Sequence, residues 1–164
     1  MRFLFTLVLV VGLSWSNSSI TITLEETVDS GMAAYTQRAI KEASMLKPDI
    51  IFLEINTFGG RLDAAFEIVD AITEIKDSKT IAIVNKKAIS AGALIALAAD
   101  EMYMKPNTTI GDCAPIIQGQ DGPKMLGEKI QSPLRAKFRG LAQKNGYNEL
   151  LAMSMVSENL EVLK

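Results

Sequence analysis

The chain has no histidine in 164 residues, and that absence removes more chemistry than any motif supplies. Without imidazole there is no Ser-His-Asp triad, no Cys-His pair and no histidine-ligated zinc centre, and neither a metal nor another cofactor is expected. The single cysteine, Cys113, has no internal partner for a disulfide and reads as a small packed residue. Basic residues are scattered through a chain of net charge −2, which leaves no electrostatic footprint for nucleic acid. No apolar run reaches the roughly 20 residues that cross a bilayer. The run Phe3–Leu13, with Arg2 before it and Ser14 and Ser16 after it, makes residues 1–16 an expected export signal. The mature chain then begins near Asn17, on the extracytoplasmic face of the membrane; an uncleaved anchor and a buried strand are the alternatives for the same run.

What is present is one domain's worth of chain, 48% hydrophobic, with room for a sizeable core. Ile20–Leu24, Asp49–Asn56 and Thr80–Asn85 read as strands, the last two so continuously apolar that both faces are expected to be covered. Helices are expected over 32–45, from Leu62 to near Lys76, and from Ser90 onward. This strand–helix rhythm predicts an α/β fold with a parallel sheet and crossover helices. Glu101–Met104 and Thr108–Gly111 read as short extended pieces, and 118–124, rich in glycine and polar residues, as a surface loop or a lid. Ser132 and Pro133 read as the N-cap and first residue of a helix running to about Lys144, with Leu134, Phe138, Leu141 and Ala142 as its apolar stripe. A last helix is expected over 148–156.

Two stretches carry the chemistry. Ser90 begins an apolar, Ala/Gly-rich helix, where backbone N–H groups are unpaired. Serine is also a preferred helix cap, so that position alone has a purely structural explanation. The second stretch is Gly59–Gly60, at the end of an apolar strand, where a glycine turn can aim a backbone N–H at an oxyanion. A parallel sheet brings both to the carboxyl edge of its strands, the edge on which sites form. With no histidine, a serine there needs a lysine able to lose its proton. Lys137 borders the apolar stripe of its helix and is the first candidate, Lys129 the second, whereas Arg139 points away from the stripe.

Taken together, Ile55–Gly60, the amphipathic helix after it, Ile81–Val84, Ser90-Ala91-Gly92 and Lys105–Gly111 resemble the N-terminal domain of NfeD-type membrane-bound serine proteases, in the ClpP/crotonase-like superfamily. The resemblance covers about 20–156. It implies a ClpP-like serine protease domain over 17–164, partial at its C-terminus, with Ser90 as the catalytic nucleophile and the N–H groups of Gly60 and Ala91 as its oxyanion hole, to which the helix face adds Lys137 as the candidate base. It implies a Ser/Lys endopeptidase cleaving hydrophobic segments of stomatin-like membrane proteins, and a homo-oligomer. It also puts Phe58 where the family usually has proline and Arg139 where it has the catalytic lysine. Arginine stays charged and cannot act as the base, so the alternative is a degenerate protease that serves as a binding scaffold. A crotonase-type acyl-CoA enzyme is a third reading, disfavoured by the export signal.

Overall fold

The computed structural model describes residues 18–119, 122–157, 160 and 162, so the expected export signal lies outside the described residues. The first strand, β1 (Ser19–Val28), leads into α1 (Ser30–Leu46), whose cap is Asp29; its carboxylate accepts from Met32 N at 2.9 Å. Lys47 then turns left-handed and Pro48 prevents the helix from continuing. β2 (Ile50–Gly60), α2 (Leu62–Thr73), β3 (Lys79–Ile89) and α3 (Ala91–Ala98) follow in strict alternation. β4 (Glu101–Met104) and β5 (Thr109–Gly111) complete a five-stranded sheet, with the order β1-β2-β3-β4 and β5 continuing beside the far end of β3. Every pairing in this sheet is parallel, as the βαβ rhythm demands.

The register aligns Ile22, Leu53 and Ala82 across three strands, and Leu24, Ile55 and Val84 one step further on. These residues are buried and form one face of the sheet, against which the helices pack. The opposite face is more open: Thr21 and Thr23 are exposed, and Phe52, Glu54 and Ile83 are half-buried. Two-sided covering of β2 and β3 is therefore not what the described residues form, because α3 packs on β2 and β3 from the Leu53–Val84 side only.

α3 is apolar all round and buried along its whole length. Its C-terminal end is held by a side chain from another element. Asn145 Nδ2 donates to Leu97 O and Ala99 O, both at 2.9 Å, satisfying carbonyls that a helix end leaves without partners. Asp100 ties the same corner to β3 by accepting from Thr80 N and Thr80 Oγ1, each at 2.8 Å.

Two expectations change in the second half. The stretch read as a loop or lid at 118–124 belongs to an antiparallel hairpin, β6 (Ile116–Gly119) and β7 (Gly122–Met125), in register from Ile116–Met125 to Gly119–Gly122. The expected helix is longer: α4 spans Glu128–Asn145 with Gly127 as its cap, so Ser132 and Pro133 lie inside it. Arg135 pairs with Glu128, and Gln131 Nε2 donates to Leu126 O at 2.7 Å, so side chains hold the turn ahead of Pro133. The stripe Leu134, Phe138, Leu141 and Ala142 is buried as expected, and α5 (Glu149–Ser154) packs beside α4.

Replacing Asn145 with alanine leaves Leu97 O and Ala99 O without their donor. The expected cost is about 1 to 3 kcal/mol, read as a lower urea midpoint at unchanged slope; an unchanged midpoint would show that α3 does not depend on this cap.

Candidate active site

The carboxyl ends of β2 and β3 meet where the two glycines face Ser90. Gly59, at φ +96°, lies so close to the β3–α3 junction that a methyl on it would stand 2.7 Å from Ser90 Cβ and 3.0 Å from Ala91 N. Only glycine fits there, for space and for backbone angle alike. Arg61 N donates to Val28 O at 2.7 Å. With the Arg61 amide committed to β1, Gly60 is left lining the same cavity as Ser90.

Ser90 has φ 54° and ψ −118°, a backbone state that L-residues avoid. It occupies the N-cap position of α3, yet its side chain makes no capping hydrogen bond. A capping serine has extended backbone angles and gives its oxygen to the first turn; Ser90 does neither. The purely structural explanation for this hydroxyl therefore fails. Its geometry is that of a sharp, strained strand-to-helix turn that presents a side chain at the sheet edge.

Four hydrogen bonds hold the strained residue. Ser90 N donates to Gly111 O at 2.8 Å, Ala93 N and Leu94 N donate to Ser90 O at 3.0 Å and 3.4 Å, and the Cys113 thiol donates to Ser90 O at 3.3 Å. Cys113 N in turn donates to Met155 O at 2.7 Å, which ties this clamp to the end of α5. Burial, with a smaller contribution from Asp112, pushes the Cys113 thiol up to about 12, so it remains protonated and is not a competing nucleophile. The first N–H groups of α3, including that of Ala91, have no intrahelical acceptor and lie beside Ser90.

Ser90, Gly60 and Ala91 line one cavity of about 270 Å³, walled by Leu94, Cys113, Leu126, Leu134 and Phe138. The lining side chains are apolar apart from Ser90, the Cys113 thiol and Arg61, whose guanidinium bonds Asp63 at 2.5 Å and 3.1 Å. Lys137 is not brought to this cavity. Although α4 supplies Leu134 and Phe138 to the wall, Lys137 Nζ lies 3.0 Å from Asp70 Oδ1 and 5.9 Å from the centre of the Phe66 ring, on α2. Asp70 belongs to a larger groove of about 710 Å³ between α1 and α2, which shares no lining residue with the Ser90 cavity. Arg139 is exposed and lines a shallow recess with Tyr147 and Glu149. Phe58, exposed to 74%, carries Lys87 Nζ 3.6 Å above its ring.

The family model for the NfeD1b N-terminal domain matches residues 19–164. The chain belongs to the NfeD1b family. It is 37% identical over 140 residues to membrane protein NfeD1b of Bacillus subtilis, covering 85% of this chain and 31% of that one. It is 28% identical over 173 residues to the membrane-bound protease PH1510 of Pyrococcus horikoshii, covering 98% and 38%. The chain thus spans about a third of the length of these relatives. Among solved structures it is similar to a variant of the 1510-N membrane-bound stomatin-specific protease in which one serine is alanine, with TM-score 0.83, 30% identity and coverage of 90% and 73%. A second variant, with one lysine replaced by alanine and a substrate peptide bound, gives TM-score 0.81 at 30% identity and coverage of 88% and 68%. ClpP1 from Listeria monocytogenes, at 23% identity, TM-score 0.63 and coverage of 85% and 79%, shares the fold. Among the described residues of this NfeD1b domain, no helix is long and apolar enough to cross a membrane.

Reading the sequence missed the side chains that hold the site, Thr57 and Cys113, and the acceptor Gly111. The one available signal was Thr57 itself, a hydroxyl in an apolar strand two residues before the glycine pair.

Two glycine substitutions separate the site from the scaffold. Gly59→Ala meets both the clash and the positive φ, each costing on the order of 1 to 3 kcal/mol. Gly140→Ala, in α4 with open space around it, is expected to gain about 0.5 to 1 kcal/mol. Urea midpoints moving in the same direction for both would contradict this geometry.

Proposed function

We propose that this NfeD1b domain is a serine endopeptidase domain acting on hydrophobic segments of membrane-associated, stomatin-like proteins, on the extracytoplasmic face and as a homo-oligomer. In this reading Ser90 Oγ attacks a peptide carbonyl in the 270 Å³ cavity, and the N–H groups of Gly60 and Ala91 take the charge that develops on the carbonyl oxygen. Lys137 receives the hydroxyl proton and passes it to the leaving amine as the C–N bond breaks; water then releases the acyl group. The observation that carries the reading is Ser90 itself, a hydroxyl held at φ 54° beside two sets of backbone donors and not used as a helix cap. The apolar cavity wall and the stomatin-specific protease among the similar structures support the substrate class.

For this chemistry Lys137 has to leave Asp70 and reach Ser90. A specific set of observations favours the second reading, a degenerate protease that binds a membrane partner. Lys137 is paired on α2, Arg139 is exposed and permanently charged, and the described cavity lining contains no lysine or carboxylate.

A fluorophosphonate probe, which reacts only with an activated serine, divides the two. The endopeptidase reading predicts labelling of the wild type that rises with pH, no labelling of Ser90→Ala, and loss of labelling in Lys137→Met, with all three still folded. A wild type that binds a hydrophobic peptide but never labels at any pH would establish the degenerate reading.

A further inference from the structure

Thr57 sits where the ladders on both sides of β2 lose register. Against β1, Glu25 pairs with Asn56 and Thr27 with Gly59, so Thr57 and Phe58 stand opposite Glu26 alone. Against β3, the register shifts between Ile55 and Thr57. Such a bulge leaves main-chain groups without their ladder partners. Glu26, at φ 70°, is itself left-handed at this point.

The Thr57 side chain fills the gap. Its Oγ1 donates to Glu26 O on β1 and accepts from Gly59 N at 2.9 Å, bridging an acceptor and a donor that the bulge separates. The residue is 1% exposed. Its methyl touches the helix beyond: a Cβ on Gly92, in the first turn of α3, would stand 2.6 Å from Thr57 Cγ2. One side chain therefore contacts the β1 bulge, the glycine turn and the helix that follows Ser90.

We infer that Thr57 is the positioning residue of the oxyanion hole: its hydroxyl draws the Gly59 N–H toward β1, which leaves the next amide, Gly60 N–H, directed at the Ser90 cavity. The hydroxyl has its proton committed to Glu26 O and a lone pair committed to Gly59, so it does not touch the substrate. It acts through the turn. With the hydroxyl gone, the Gly59 N–H loses its partner, the Gly59–Gly60 peptide is free to rotate between its two glycines, and the Gly60 donor loses its direction. This role rests on the reading of Ser90 as a nucleophile, and it has a structural component that can be read without it.

The test compares wild type, Thr57→Val, which keeps the shape and removes the hydroxyl, and Thr57→Ser, which keeps the hydroxyl and removes the methyl. The readouts are fluorophosphonate labelling rate, affinity for a hydrophobic peptide, and hydrogen exchange at the Gly59 amide. The expected result is labelling slowed 10- to 100-fold in Thr57→Val, peptide affinity within twofold of wild type, and Gly59 exchange accelerated at least 10-fold. Thr57→Ser restores labelling and exchange to within about threefold. If the wild type labels and Thr57→Val labels as fast, the positioning role is wrong while Ser90 stands. If the wild type does not label, the nucleophile reading falls, and Gly59 exchange decides on Thr57: acceleration only in Thr57→Val supports its hold on the turn, and equal protection in all three overturns it.

Discussion

Everything at this site depends on keeping Ser90 in a backbone state it would not adopt alone. At φ 54° and ψ −118° the residue stores strain of order 1 to 3 kcal/mol, and it persists because its surroundings leave no alternative. Gly59 packs against its Cβ, Gly111 accepts its N–H, and its carbonyl serves two donors in the first turn of α3 as well as the Cys113 thiol. α3 cannot shift to relieve the strain, because it is buried along its whole length and held at its far end by Asn145. The parallel sheet accounts for the rest, since it delivers β2 and β3 to the same edge and places the glycine turn next to the serine.

Electrostatics at the site are lopsided. The first amides of α3 lie beside Ser90 without intrahelical acceptors, while Lys137, the base of the proposed mechanism, is paired with Asp70 on α2. The Lys137–Asp70 pair is partly exposed, and a pair of that kind is worth little, typically below about 1 kcal/mol. A contact that weak can be exchanged for another at small cost. Reach is the larger constraint, since Lys137 and the wall residues Leu134 and Phe138 leave α4 in different directions.

Much of this was legible in the sequence. Nearly continuous apolar runs pointed to β2 and β3, and the alternation of Leu62, Ala65, Val69 and Ile72 with Asp63, Glu67, Asp70 and Glu74 pointed to α2. The stripe of α4 was legible for the same reason, and with it the outward direction of Arg139. Periodicity reports which face of a helix is buried; it does not report what that face meets. The contact between Lys137 and Asp70, 67 residues apart, was therefore out of reach. So was the backbone state of Ser90, because a serine before an apolar helix looks the same whether it caps the helix or is held away from it. The β6–β7 hairpin was missed because its four-residue strands carry glycine, proline and lysine in place of alternating apolar residues.

A peptide boronate with a branched aliphatic residue next to boron tests the central claim most directly, because it forms a tetrahedral adduct only on a serine whose oxygen and oxyanion donors are already in place. Ser90 held beside ready-made donors predicts, in a structure of the complex, a bond from Ser90 Oγ to boron. One boronate oxygen is then within hydrogen-bond distance of the Gly60 and Ala91 amides, and the aliphatic side chain lies in the cavity walled by Leu94, Leu134 and Phe138. A boronate seated in that cavity with no bond to Ser90, or with its oxygens turned away from both amides, would contradict it.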